Sequence, residues 1–135
     1  MPSSSSDSEP HDTQAVAAAM QVLDEHMAGL NTRDRDRINS TLHFPHHRLS
    51  GSTLKTWENG SQYFDDFLAR AGDGWHHSEW DFRHVIAAGE RKVHMDVQFT
   101  RYREDGSTLG QFRSLWVITQ IDSRWAAQLR SSFAG

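Results

Sequence analysis

The chain contains no cysteine among its 135 residues. Disulfide bonding and thiolate chemistry are excluded, and nothing in the composition favours an oxidising compartment. Positive charge is not in excess either: 14 Lys and Arg stand against 18 Asp and Glu, a formal net charge of -4 with histidine neutral. The basic stripe that grips a phosphate backbone is missing, so no nucleic-acid partner is expected. No apolar run approaches the roughly 20 residues of a membrane helix, so no membrane association is expected. The opening MPSSSSDSEPHD lacks the charged start and apolar core of a secretory signal, and a cytoplasmic location is expected. There is no Gly-rich phosphate loop, GxSxG, HExxH or spaced Cys/His set, so no cofactor and no metal site are expected.

What is present suits one domain able to bury a core without staples. Residues 1–12 are serine-rich and read as a disordered tail, and residues 13–135 as a single domain. Val16, Met20, Leu23, Met27 and Leu30 recur at steps of four and three, which places them on one face of a helix capped at Thr13 and stopped near Gly29-Leu30-Asn31. Residues 34–42 read as a short second helix, with Ile38 and Leu42 on one side and Pro45 closing it. A small hairpin over 46–57 turns at Gly51-Ser52. A third helix over 60–71 carries the stripe Tyr63, Phe64, Phe67, Leu68 and Ala71, with Asp65 and Asp66 facing away. Four strands follow, at 75–88, 92–103, 109–120 and 124–133, with Asp105-Gly106 the strongest hairpin signal. The layout is α+β, with three N-terminal helices packed on the inner face of a curved antiparallel sheet.

The turns fix an expected register. Centring one on Asp105-Gly106 pairs Phe99 with Phe112, Val97 with Ser114, Met95 with Trp116 and Val93 with Ile118. A turn centred on Asp122-Ser123 pairs Trp116 with Leu129, Ser114 with Ser131 and Phe112 with Phe133. A turn centred on Gly89-Glu90 pairs Ile86 with Val93, His84 with Met95, Phe82 with Val97, Trp80 with Phe99 and Ser78 with Arg101. The inner face then collects Trp80, Phe82, Ile86, Val93, Met95, Val97, Phe99, Phe112, Trp116, Ile118, Leu129 and Phe133, and His84, Arg101, Ser114 and Ser131 share it. The other face is polar, with Leu115 and Val117 among its charges; it either faces solvent or pairs with a second subunit, and Trp125 with the two apolar residues favours the pairing.

The order of helices and strands over residues 13–133, the segment LNTRDRDRINSTLHFPHHRLSG and the closing GSTLGQFRSLWVITQIDSRWAAQLRSSF resemble the nuclear-transport-factor-2-like superfamily, which includes SnoaL-like polyketide cyclases and ketosteroid isomerases. The resemblance implies a cone-shaped α+β barrel with a ligand cavity between helices and sheet, dimerising through the outer sheet face. Its members include isomerases, dehydratases, cyclases, epoxide hydrolases and non-catalytic binding domains, so the fold does not choose a reaction. Ketosteroid isomerase-like members often carry acidic residues after the aromatic of the first strand. This chain has Phe44-Pro45-His46-His47 there, so no acidic base is carried over.

The candidate chemistry therefore rests on histidine and arginine. His46 and His47 are strand neighbours and point to opposite faces, which argues against a shared metal. In the hairpin, Leu49 faces Leu54, His47 faces Thr56 and His46 faces Trp57; leucines pointing inward would take His47 with them. A histidine in a partly dry cavity suits a general base near neutral pH, and His46, His47 and His84 are the candidates. The competing reading for each is a hydrogen bond to backbone or, for His84, to Asp24 on the first helix. Arg101, opposite Ser78 and Gly110, suits an enolate or carboxylate oxygen at the cavity end; the alternative is a rim salt bridge. Trp57, Tyr63, Trp80 and Trp116 would wall the ligand or simply fill the core, and Ser131 would add a hydroxyl. The expected function is a small-molecule-binding domain, working as a cofactor-independent isomerase, lyase or cyclase with a histidine base on a small organic carbonyl compound. The alternative is a non-catalytic ligand-binding or accessory domain of the same fold, or a purely structural one, with a homodimer through the outer sheet face in each case.

Overall fold

A computed structural model describes residues 10–133. Three helices and six strands follow in chain order: α1 (Pro10–Thr32), α2 (Arg35–Asn39), β1 (Leu42–Ser50), β2 (Thr53–Trp57), α3 (Gly60–Ala71), β3 (His77–Ala88), β4 (Lys92–Tyr102), β5 (Thr108–Ile121) and β6 (Arg124–Ser132). The architecture is α+β, with the helices on one face of a single curved sheet ordered β2-β1-β6-β5-β4-β3. The β1–β2 hairpin joins the other four strands through a parallel β1–β6 pairing, the one parallel ladder among the described strands of a sheet expected to be antiparallel. The sheet does not close on itself, and β2 and β3 are its edges. Among the described residues no helix is long and apolar enough to cross a membrane.

Helix α1 begins at Pro10, ahead of the expected cap at Thr13, so the end of the expected tail is helical; residues 1–9 lie outside the described residues. Proline suits a first helical turn, where its missing N–H is not needed. The buried spine of α1 is Ala15, Ala19, Val22, Leu23, His26, Met27 and Leu30. Val16 and Met20 are only partly buried, because small alanines let α1 lie close to the sheet on a slightly rotated face. Gly29 marks the crossing with α2: a Cβ there would meet Ile38 Cγ1 at 2.9 Å. Helix α2 is five residues long, not nine; its cap is Asp34, whose carboxylate accepts from the Arg37 N–H, and Leu42 and Pro45 belong to β1. Helix α3 has the expected bounds and buries Tyr63, Phe64 and Phe67. Asp66 does not face away from the fold: it accepts from Trp57 Nε1 at 2.7 Å and pairs with Lys55.

The β4–β5 register follows the Asp105-Gly106 turn as expected, through Phe99↔Phe112, Val97↔Ser114, Met95↔Trp116 and Val93↔Ile118. The β1–β2 hairpin also pairs as expected, His46↔Trp57, His47↔Thr56 and Leu49↔Leu54. Its faces are reversed, however: His46 and Trp57 are buried, while Leu49 and Leu54 are exposed.

Bulges change the other two hairpins. At β5–β6 the turn residues Asp122 and Ser123 both have positive φ, as a two-residue hairpin of this hand requires, and the pairing runs true to Ile118↔Ala127. The register then shifts, giving Val117↔Leu129, Trp116↔Arg130 and Ser114↔Ser132. An extra residue in one strand moves every later side chain to the other face. Leu129 and Phe133 are therefore exposed, Ser131 sits outside against Leu115 and Leu49, and Arg130 is buried. At β3–β4 the ends meet at Ala88↔Val93, one position beyond the expected turn centre. Two register shifts restore the expected pairing only at Trp80↔Phe99 and Ser78↔Arg101. Between them His84 faces Asp96 and Arg83 faces Val97. Phe82 and Ile86 leave the core, Ile86 being 58% exposed.

Candidate functional site: an arginine-walled cavity

Between the helices and the inner face lies a cavity of about 40 Å³. A single water needs roughly 10–15 Å³ on this measure, so there is room for a few waters or one small ligand. Its apolar lining comes from Met27, Leu30, Phe67, Trp80, Phe99, Phe112 and Trp116. Its polar lining comes from His26, Ser78, Ser114 and Ser132, from Arg113, which is paired with Asp96, and above all from four further arginines, Arg48, Arg70, Arg101 and Arg130.

The four arginines arrive from β1, α3, β4 and β6 respectively. Among the described residues none of them forms an ion pair with a carboxylate. Aromatic faces hold them instead. The Arg101 guanidinium carbon lies 4.3 Å from the Phe112 centroid and 5.5 Å from that of Phe99. Arg130 lies 5.2 Å from Trp116 and 5.4 Å from Tyr63, and Arg70 lies between Phe67 and Trp57. Ring quadrupoles attract cations over their faces. They satisfy no N–H, and the Nε of Arg70, Arg101 and Arg130, with Nη2 of Arg70 and Arg130, are buried and have no hydrogen-bond partner among the described residues. Arg48 Nη2 alone donates, to Ser132 Oγ at 3.2 Å. Burial pushes Arg70 down to about 9 and Arg101 down to about 10, and repulsion from Arg130 adds to both. Arg48 is lowered by the same two causes.

His26 is 1% exposed and lines the cavity. Thr41 Oγ1 donates to the Ile38 carbonyl at 2.6 Å, so it accepts from His26 Nδ1–H at 2.8 Å. His26 Nε2 is then the unprotonated nitrogen and accepts from the Tyr63 O–H at 3.5 Å. Burial holds its pKa well below the ordinary histidine value, with Arg130 adding repulsion. The imidazole is neutral and presents a lone pair.

The expected site residues separate into three groups. Arg101, Trp80 and Trp116 line the cavity. The indole N–H groups are spent elsewhere, Trp80 donating to the Leu23 carbonyl and Trp116 to Ser114 Oγ. Trp57, Tyr63 and His46 form a packed layer behind the lining, with His46 5.7 Å edge-on to Tyr63. His46 Nδ1–H donates to the Ala127 carbonyl at 3.1 Å, its Nε2 has no partner, and burial followed by Arg130 lowers it to about 3. His47, His84 and Ser131 are on the outer face. His47 bonds Thr56 Oγ1, and His84 stacks on Phe82 at 4.6 Å rather than reaching Asp24, which pairs with Arg83. Arg101 makes no rim salt bridge among the described residues. Missed from sequence are His26, Arg48, Arg70, Arg130 and Ser132. His26 lies on the alanine-containing α1 stripe, where it was legible; Arg130 and Ser132 were hidden by the β6 bulge. No group of three or more His, Cys, Asp or Glu able to hold a metal exists among the described residues.

A curved sheet carrying three helices on one face, with a small cavity between the layers, defines the class of architecture. Residues 12–127 match the family model described as NTF2-like protein (DUF6841), and the chain belongs to that family. No curated protein matches the chain. Solved structures share the fold. A Nostoc punctiforme protein of unknown function with a cystatin-like fold is 15% identical, with 94% of this chain and 93% of that one covered and a TM-score of 0.72. An NTF2-like protein of unknown function from Shewanella oneidensis is 11% identical over 87% and 98%, with a TM-score of 0.70. Aln2 from a Streptomyces species is 14% identical over 93% and 92%, with a TM-score of 0.69.

Proposed function

We propose that the chain binds a small organic acid in this cavity, its anionic group held by Arg48, Arg70, Arg101 and Arg130. One observation carries the reading: buried N–H donors on three guanidinium groups have neither a hydrogen-bond partner nor a carboxylate among the described residues. An unpaired buried charge is strongly unfavourable, and a ligand oxyanion offsets it with charge-assisted hydrogen bonds. The test is thermal unfolding at constant ionic strength with butyrate, benzoate or inorganic phosphate replacing chloride. Stabilisation should grow with concentration as a binding isotherm and shrink in Arg130→Gln. A response identical in wild type and Arg130→Gln for every anion defeats the proposal.

Within this reading the chain acts as a cofactor-independent isomerase, lyase or cyclase on an acid with an adjacent carbonyl group, as His26 favours. Its unprotonated Nε2, released from the Tyr63 hydroxyl, would take a proton from the carbon beside the carbonyl, and the electron pair would move onto the oxygen facing the arginines. Return of that proton to another carbon completes an isomerisation. His26→Gln should remove turnover and spare anion binding, whereas a binding domain would lose neither. The exposed Leu49, Leu54 and Leu129 on the outer face are proposed to meet a second copy. Sedimentation of Leu54→Glu should then show a monomer where the native chain shows a dimer.

A further inference from the structure

Resting on the anion-binding reading, we infer that the ligand is a compact organic dianion, carrying two carboxylates or a phosphoryl group on a short apolar framework. The donor count leads there. Five buried guanidinium nitrogens without partners project from three elements: Nε and Nη2 of Arg70, Nε of Arg101, and Nε and Nη2 of Arg130. One carboxylate has two oxygens and roughly four lone-pair directions, and a fork-to-fork contact engages one guanidinium at a time. A single carboxylate therefore leaves at least one arginine unserved.

The charge count agrees. Five guanidinium groups border one void with no acidic side chain among its lining residues; Arg113 is paired with Asp96, which leaves four charges uncompensated. A monoanion would leave most of their mutual repulsion in place, and a dianion halves the formal excess. The arginines are also fixed before any ligand enters, since Arg101 stands on Phe112 and Arg130 between Tyr63 and Trp116. Pre-set donors favour a ligand whose acceptors have matching spread. Met27, Leu30, Trp80 and Phe99 supply the apolar part of the wall, which suits a carbon skeleton better than a bare inorganic ion. The void of about 40 Å³ limits that skeleton to a few atoms.

Succinate and butyrate share a four-carbon chain and differ by one carboxylate, so titration calorimetry of both at pH 7.5 and fixed ionic strength isolates the second charge. Succinate should bind at least tenfold more tightly. Arg70→Gln and Arg101→Gln, checked for native circular dichroism, should weaken both acids but succinate at least threefold more than butyrate, bringing the two affinities together. Equal affinity for the two acids overturns the dianion inference and leaves anion binding standing. No binding of succinate, butyrate or inorganic phosphate overturns both. Phosphate binding that matches or exceeds succinate binding supports the dianion and assigns its charge to a phosphoryl group.

Discussion

On the outside of the molecule Arg37 is clamped by both oxygens of Glu25, Arg83 reaches Asp24, and Arg113 lies along Asp96. Inside, Arg70, Arg101 and Arg130 meet no carboxylate among the described residues and rest on aromatic rings. The chain is not short of acids, with 18 Asp and Glu in all. It places them where solvent already screens charge and withholds them where a counter-charge would matter most. Exposed pairs of that kind contribute about 0–1 kcal/mol, whereas an uncompensated buried charge is far more consequential. The inner arginines are thus poor at holding the fold together and well suited to holding something that enters it.

The sharpest way to break the contrast is to remove the shared neighbour of the inner set. Arg130→Met should weaken anion binding about a hundredfold, as loss of a buried charged donor usually costs 2–5 kcal/mol, and calorimetry reads this directly. Acid tests the same interior through its histidines. The folded value of His46 is about 3 against an ordinary 6.5, so below pH 6.5 the unfolded chain takes up protons that the folded one refuses. Stability therefore falls as pH drops from 6.5 toward 3, by about 3 kcal/mol at pH 4 from this residue. Urea titrations of wild type and His46→Gln at pH 7 and pH 4 should show a shallower loss in the variant. A third expectation has the opposite sign. In the ligand-free protein Arg70→Met should raise stability by about 1–2 kcal/mol, since a hydrophobic side chain replaces a buried unpaired cation. The smallest effect sharpens the outer half: Arg37→Ala should lower the urea midpoint only slightly and leave the anion response unchanged, because solvent screens the exposed pair.

Much of this was written plainly in the chain. Asp105-Gly106 set the β4–β5 register, and alternation about it placed Met95, Val97, Phe99 and Trp116 correctly. Arg101 followed from that register and lines the cavity as expected. Strand parity failed where bulges intervene. His84 lies between two register shifts in β3 and faces outward, and Arg130 lies just past one in β6 and faces inward. A bulge adds one residue without a strong local sequence signal, so period-two patterning misassigns everything beyond it. Arg48 and Arg70 were obscured for a different reason. Arginine on a strand rim or a helix end ordinarily lies in solvent, and only three-dimensional packing shows these two converging on one void. His26 was hidden by emphasis on large apolar residues, because Ala15 and Ala19 define the buried stripe on which it lies.

The shift between Ile118↔Ala127 and Val117↔Leu129 has a consequence beyond packing. Read straight, the last residues of β6 would offer the interior Leu129, Ser131 and Phe133; read with the shift, they offer Arg130 and Ser132. One stretch of sequence thus encodes two interiors, one oily and one cationic, and the choice is odd-or-even arithmetic between a turn and a wall.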